Sequence, residues 1–75
     1  MKKKRTFLVP FDFTEAAEKA LEQTLELSKY GNSKIIILHV ISNDSEKQIA
    51  LEKLDKLNSN LETTVDIENK VIKGS

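Results

Sequence analysis

The segment FLVPFDFTEAAEKAL, Phe7 to Leu21, joins a short apolar strand to a helix through a turn that carries one carboxylate, Asp12. Phe7, Leu8 and Val9 form the apolar run, and Pro10 has no N–H to give a sheet ladder, so the strand is expected to stop near it. Asp12 or Thr14 can cap the helix that follows. In an open α/β sheet the crevice at the carboxyl ends of the strands is the usual ligand site, and a helix N-terminus there presents unpaired N–H groups. Asp12 would sit on that rim.

Downstream, Ala17, Ala20, Leu21, Thr24, Leu25, Leu27 and Ser28 fall on one arc at 3.6-residue spacing. That spacing predicts a helix laid on a sheet, with Gly31 as its left-handed stop. Ile35 to Ile41 is apolar except for His39 and rich in β-branched residues without alternation, the pattern of a central parallel strand buried on both faces. Ser45 and Gln48 have capping-box spacing for a second helix with the stripe Ala50, Leu54, Leu57 and Leu61, and Glu52 can pair with Lys56 on its wet side. Thr63 to Ile72 reads as a third strand, with Val65, Ile67 and Val71 on one face and Asp66, Glu68 and Lys70 on the other, as suits a strand near an edge. Strand, helix, strand, helix, strand implies right-handed crossovers and a parallel sheet, hence the α/β class.

Seventy-five residues suit one small domain. A chain of that size removes only about 60 to 65% of its unfolded surface from water, so its core is thin. Hydrophobic residues at 39% and charged residues at 32% describe a globular chain, neither disordered nor membrane-spanning. Twelve basic residues balance twelve acidic ones, so no global field favours nucleic acid or anionic lipid. The run Lys2, Lys3, Lys4, Arg5 is followed by too short an apolar segment for a signal peptide and reads as a solvated lead-in to the first strand. The absence of cysteine excludes disulfides and thiolate metal sites and fits a reducing, cytoplasmic setting.

Two phrases carry a family resemblance. VPFDFT, Val9 to Thr14, resembles the V-P-x-D-F-S phrase that ends the first strand of the universal stress proteins, and YGNSKIIILHV, Tyr30 to Val40, resembles the second half of their N-terminal signature, which closes on L-H-V. The resemblance spans nearly the whole chain but only about half of the family's domain, so residues 1–75 are expected to form a single truncated domain. It implies a three-stranded parallel sheet of order 3-2-1 with two helices, half of a Rossmann-like, adenine nucleotide alpha hydrolase-like fold. The first strand is then left with an unpaired edge.

For nucleotide-binding relatives, the resemblance implies that adenine and ribose are held by positions matching Pro10, Phe11, Asp12 and Val40, with ATP or AMP as the ligand. The glycine-rich loop that would cradle the phosphates has no counterpart here: Gly31 and Gly74 are the only glycines and are far apart. Gly74-Ser75 resembles the end of that loop but comes too early in the fold. Phe11 can stack on a base or simply pack. Asp12, three residues before Glu15, can cap the helix, contact a ligand, or do both. His39 reads as a hydrogen-bonded core or rim residue, since no base or nucleophile partner is evident and a lone histidine builds no histidine-rich metal site.

No arrangement supports an enzyme. The expectation is a universal stress protein-like, non-enzymatic stress-response protein acting by binding and self-association, with a homodimer completing the open sheet edge. The alternative is an adenine-nucleotide binding module built on the Pro10 to Asp12 turn and Val40.

Overall fold

The computed structural model describes residues 4–61 and 63–74, and three strands and two α-helices alternate along them. β1 is Arg5–Pro10, α1 Glu15–Ser28, β2 Ser33–Ile41, α2 Lys47–Asn60 and β3 Asp66–Lys73, with one 3₁₀ turn, Asp44–Glu46, before α2. The strands form one parallel sheet with β2 in the centre, the expected order 3-2-1. Leu8 lies beside Ile36, and Ile36 beside Glu68.

Parallel strands added in one direction require both crossovers to step the same way, and crossovers of one hand then leave both helices on one face. The core follows. Val9 and Phe11 of the β1 segment and Ile35 and Ile37 of β2 pack with Ala17 and Leu21 of α1 and Leu54 of α2, and Ile67 and Val71 of β3 join them. The opposite face is open, with Leu8 59%, Val40 54% and Ile72 42% exposed. β2 is therefore not buried on both faces as its unbroken apolar run predicted. The run is present, but both covering elements lie on one side.

The same one-sided layout narrows the apolar arc of α1. Ala17, Leu21 and Ser28 are buried, whereas Ala20 and Leu27 are exposed. Thr24 and Ser28 turn their hydroxyls back onto the helix, to the carbonyl oxygens of Ala20 and Leu25, each at 2.8 Å. Helical geometry stops at Lys29, and Gly31 takes the chain into β2 with φ +151, a positive value that a side chain would resist.

Entry to α2 differs from the Ser45–Gln48 capping box. The Glu46 carboxylate accepts from the backbone N–H groups of Ser42 and Asn43 at 2.8 and 3.1 Å, and Ser45 Oγ donates to Asn43 Oδ1. The box has moved two residues upstream, and the 3₁₀ turn it closes feeds directly into α2. Glu52 takes a hydrogen bond from Gln48, one turn before it, rather than pairing with Lys56. β3 begins at Asp66 instead of Thr63, because Thr63 Oγ1 accepts from the Val65 N–H and holds that segment in a turn. Its alternation is as expected, with Ile67, Asn69 and Val71 half-buried between exposed neighbours.

The backbone N–H groups of Arg5 and Phe11 donate to β2-side carbonyls, those of Asn32 and Leu38. Alternate residues of a strand present their amides to opposite edges. Thr6, Leu8 and Pro10 therefore face the edge of β1 that no described strand pairs, and the missing proline N–H falls there, where the ladder does not need it. Among the described residues, no helix is long and apolar enough to cross a membrane.

Candidate functional site

The turn after β1 is built from a chain of three side-chain hydrogen bonds. Asp12 Oδ1 accepts from both the N–H and the hydroxyl of Thr14, at 3.2 and 2.5 Å. Thr14 Oγ1 in turn accepts from the Ala17 N–H at 3.2 Å and is the N-cap of α1. Asp12 itself does not cap the helix; it orients the residue that does. These bonds, the Thr14 hydroxyl first, hold the Asp12 carboxyl below the usual carboxylate range. The carboxylate remains exposed and ionised on the rim.

Phe13 makes the turn possible at a cost, because it sits at φ +65, a left-handed conformation that a bulky residue rarely adopts. Its ring compensates. It meets Phe11 edge-on at a centroid separation of 5.0 Å and His39 at 4.9 Å, and Lys53 Nζ of α2 lies 5.3 Å over its face. His39 Nδ1 lies 2.7 Å from the Phe11 carbonyl oxygen, which can only accept, so Nδ1 carries the hydrogen. The β1 turn is thereby tied to β2 and α2 at once.

Pro10, Phe11, Asp12 and Val40 all line one cavity of about 400 Å³ at the carboxyl ends of the strands, together with Leu38 and His39. They do not all contribute in the same way. Pro10, Asp12 and Val40 are exposed, but the Phe11 ring is in the core at 3% exposure and could not stack on a base without leaving it. Of the two readings open for Phe11, packing is the one adopted.

An adjoining cavity of about 480 Å³ also takes in Asp12, His39 and Val40 and adds Ser42, Glu46 and Lys53. Glu46 is held below the usual carboxylate range by the Asn43 and Ser42 amides. Sequence reasoning overlooked it, although the spacing from Asn43 to Glu46 is itself a capping-box signal. Phe13 carried no such signal, since nothing in FDFT announces which residue takes the positive φ.

At the helix N-terminus, Glu15 and Glu18 complement the dipole of α1 and would repel an incoming phosphate. Gly74 has a packing role instead of a phosphate one. Its N–H extends the ladder to the Ile41 carbonyl at 2.9 Å, and a Cβ there would meet Val40 Cγ1 at 2.8 Å. The neighbouring Ser75 lies outside the described residues.

The sequence model of the universal stress protein family matches residues 4–71, a span that includes β1, β2, both helices, the Asp12 turn and all but the last two residues of β3. The chain belongs to the universal stress protein family. No curated protein and no solved structure matches it. In this universal stress protein, VPFDFT supplies the Asp12 turn and L-H-V supplies His39 and Val40, so the family's two phrases meet at one crevice.

Proposed function

We propose that this universal stress protein acts in the stress response of the cytoplasm, by binding and self-association and without catalysis. The observation that carries the reading is the uncovered half of the sheet: a free β1 edge beside a face exposing Leu8, Val40 and Ile72. Exposed apolar surface continuous with unpaired strand amides favours pairing with a second copy. The non-catalytic part is supported by the turn itself, where Asp12 Oδ1, the Thr14 hydroxyl and His39 Nδ1 are all engaged in holding the backbone.

The convergence of Pro10, Asp12 and Val40 on one cavity favours a second reading, an adenine-nucleotide module that takes the adenosine end of ATP or AMP. In it Asp12 accepts from the ribose hydroxyls, Pro10 and Val40 flank the base, Phe11 shapes the floor, and the phosphates trail past Glu15 without a glycine loop.

Light scattering on a size-exclusion column, over a range of protein concentrations and with or without ATP, tests the first reading. A dimer is expected, and a mass that stays monomeric at high concentration overturns it. Calorimetry with adenosine and ATP tests the second. Equal affinities are expected, and a strong preference for ATP, or no binding of either, overturns it.

A further inference from the structure

A cavity of about 640 Å³ lies at the other end of the sheet, where the strands begin, between the end of α1, the start of β2 and the approach to β3. β2 alone separates it from the Asp12 crevice by roughly 25 Å of extended chain. Lys4, Lys29, Ser33, Thr63, Thr64 and Asp66 are among the residues that line it.

Like Asn58 and Asn69 elsewhere, Ser33 holds a buried oxygen without a partner, and of the three it is the one that lines this cavity. It is only 7% exposed, it is in the helix-facing alternation of Ile35 and Ile37, and its Oγ has no hydrogen-bond partner. A buried hydroxyl without a partner weakens a fold, and an alanine would fit the same position with no such cost. Packing therefore does not account for it.

Three of the other polar groups around the cavity have hydrogens left to give. Lys4 Nζ bonds Asp66 Oδ2 at 3.1 Å and Lys29 Nζ bonds Glu26 Oε1 at 2.9 Å, which leaves two N–H groups on each ammonium. Thr63 Oγ1 accepts from the Val65 N–H and keeps its own hydrogen to give. Asp66, the carboxylate among these six residues, is already held by Lys4. Lys29 directly follows α1, where its charge offsets the partial negative charge of the helix end.

We infer that this cavity binds a small hydroxylated oxyanion, its charged end with Lys4 and Lys29 and a hydroxyl partnering Ser33. Polyol phosphates and hydroxy acids share that chemistry. The site is independent of the Asp12 crevice and of the oligomeric state.

The test is an NMR amide-shift titration of the full chain with glycerol 3-phosphate, glycerate, glycerol and inorganic phosphate, on the parent, Ser33→Ala and Lys4→Gln proteins. Saturable shifts at Asn32, Ser33, Thr64 and Val65 are expected. At least one hydroxylated acid should bind about tenfold more tightly than glycerol or phosphate, and each variant should lose about tenfold, the size of one hydrogen bond, charge-assisted at Lys4 and neutral at Ser33. Whichever acid binds more tightly identifies the charged group. Ser33→Ala should also melt no lower than the parent, which separates lost binding from lost folding. Equal binding of phosphate and the hydroxylated acids would mean an adventitious ion only. That result, unchanged binding by Ser33→Ala, or no saturable shift at these amides overturns the assignment.

Discussion

His39 Nδ1 donates to the carbonyl oxygen of Phe11 across 2.7 Å, so the central strand holds the backbone of the turn that presents Asp12. Replacing the histidine by an aromatic ring without a donor isolates that bond. His39→Phe keeps an edge for Phe13 and is expected to cost about 1 kcal/mol, by chemical denaturation, with faster amide exchange from Phe11 to Thr14. Unaltered exchange there would show that the turn stands without β2.

Thr14 both caps α1 and anchors Asp12. Thr14→Ala should destabilise the fold by about 1 kcal/mol, the usual worth of an N-cap, and should return the Asp12 carboxyl toward the ordinary range. The carboxyl resonance of residue 12, followed by NMR against pH, reads the second effect. A midpoint that does not rise would mean that the threonine is not what lowers it.

Phe13 combines backbone strain with aromatic packing, and two substitutions separate them. Phe13→Ala removes the ring and keeps a Cβ at φ +65, while Phe13→Gly removes both. The glycine variant should be the more stable of the two by about 1 kcal/mol, although both should fall below the parent. An alanine variant as stable as glycine would mean that the turn relaxes once the ring is gone.

Acid should weaken the fold through Asp12 and Glu46, both held below the usual carboxylate range by hydrogen bonds made in the folded state. A depressed folded pKa contributes stability that is complete above the unfolded value, about pH 4, and disappears as pH falls through the folded value. Asp12→Asn and Glu46→Gln should each flatten the stability profile below about pH 4 and leave its shape at neutral pH unchanged. Thermal melts across that range check it, and a parent profile flat in acid would contradict the assignment.

Leu8 is on the open face and on the free-edge strand together. Leu8→Lys places a charge where a second copy would pack and removes nothing from the core, so it should shift the mass toward monomer with little change in melting temperature. A dimer that survives the substitution would exclude this part of the sheet as the interface.

The strand-helix-strand alternation was legible because it depends on local signals, an apolar run ended by proline and a helix-spaced arc behind it. The order of the sheet and the grouping of Pro10, Asp12 and Val40 came instead from the family resemblance of VPFDFT and L-H-V. The empty face was not legible in either. Ile36, Leu38 and Val40 read as buried because the sequence of β2 records a sheet apolar on both sides, while the covering of each side depends on which way the two crossovers turn. The capping shift from Ser45 to Asn43 was missed for a smaller reason, since two boxes overlap there and only the backbone path selects between them. Ser33 was invisible, because a serine at a strand start looks like solvent exposure until α1 closes over it.

Pro10 sets a limit on what can be added beside β1. A strand laid along that edge finds N–H groups at Thr6 and Leu8 but only a carbonyl at Pro10, so its hydrogen-bond zipper loses a donor one step short of the Asp12 turn. The same ring that closes the first strand thus leaves the carboxyl end of that edge, beside the Asp12 crevice, without an N–H to give.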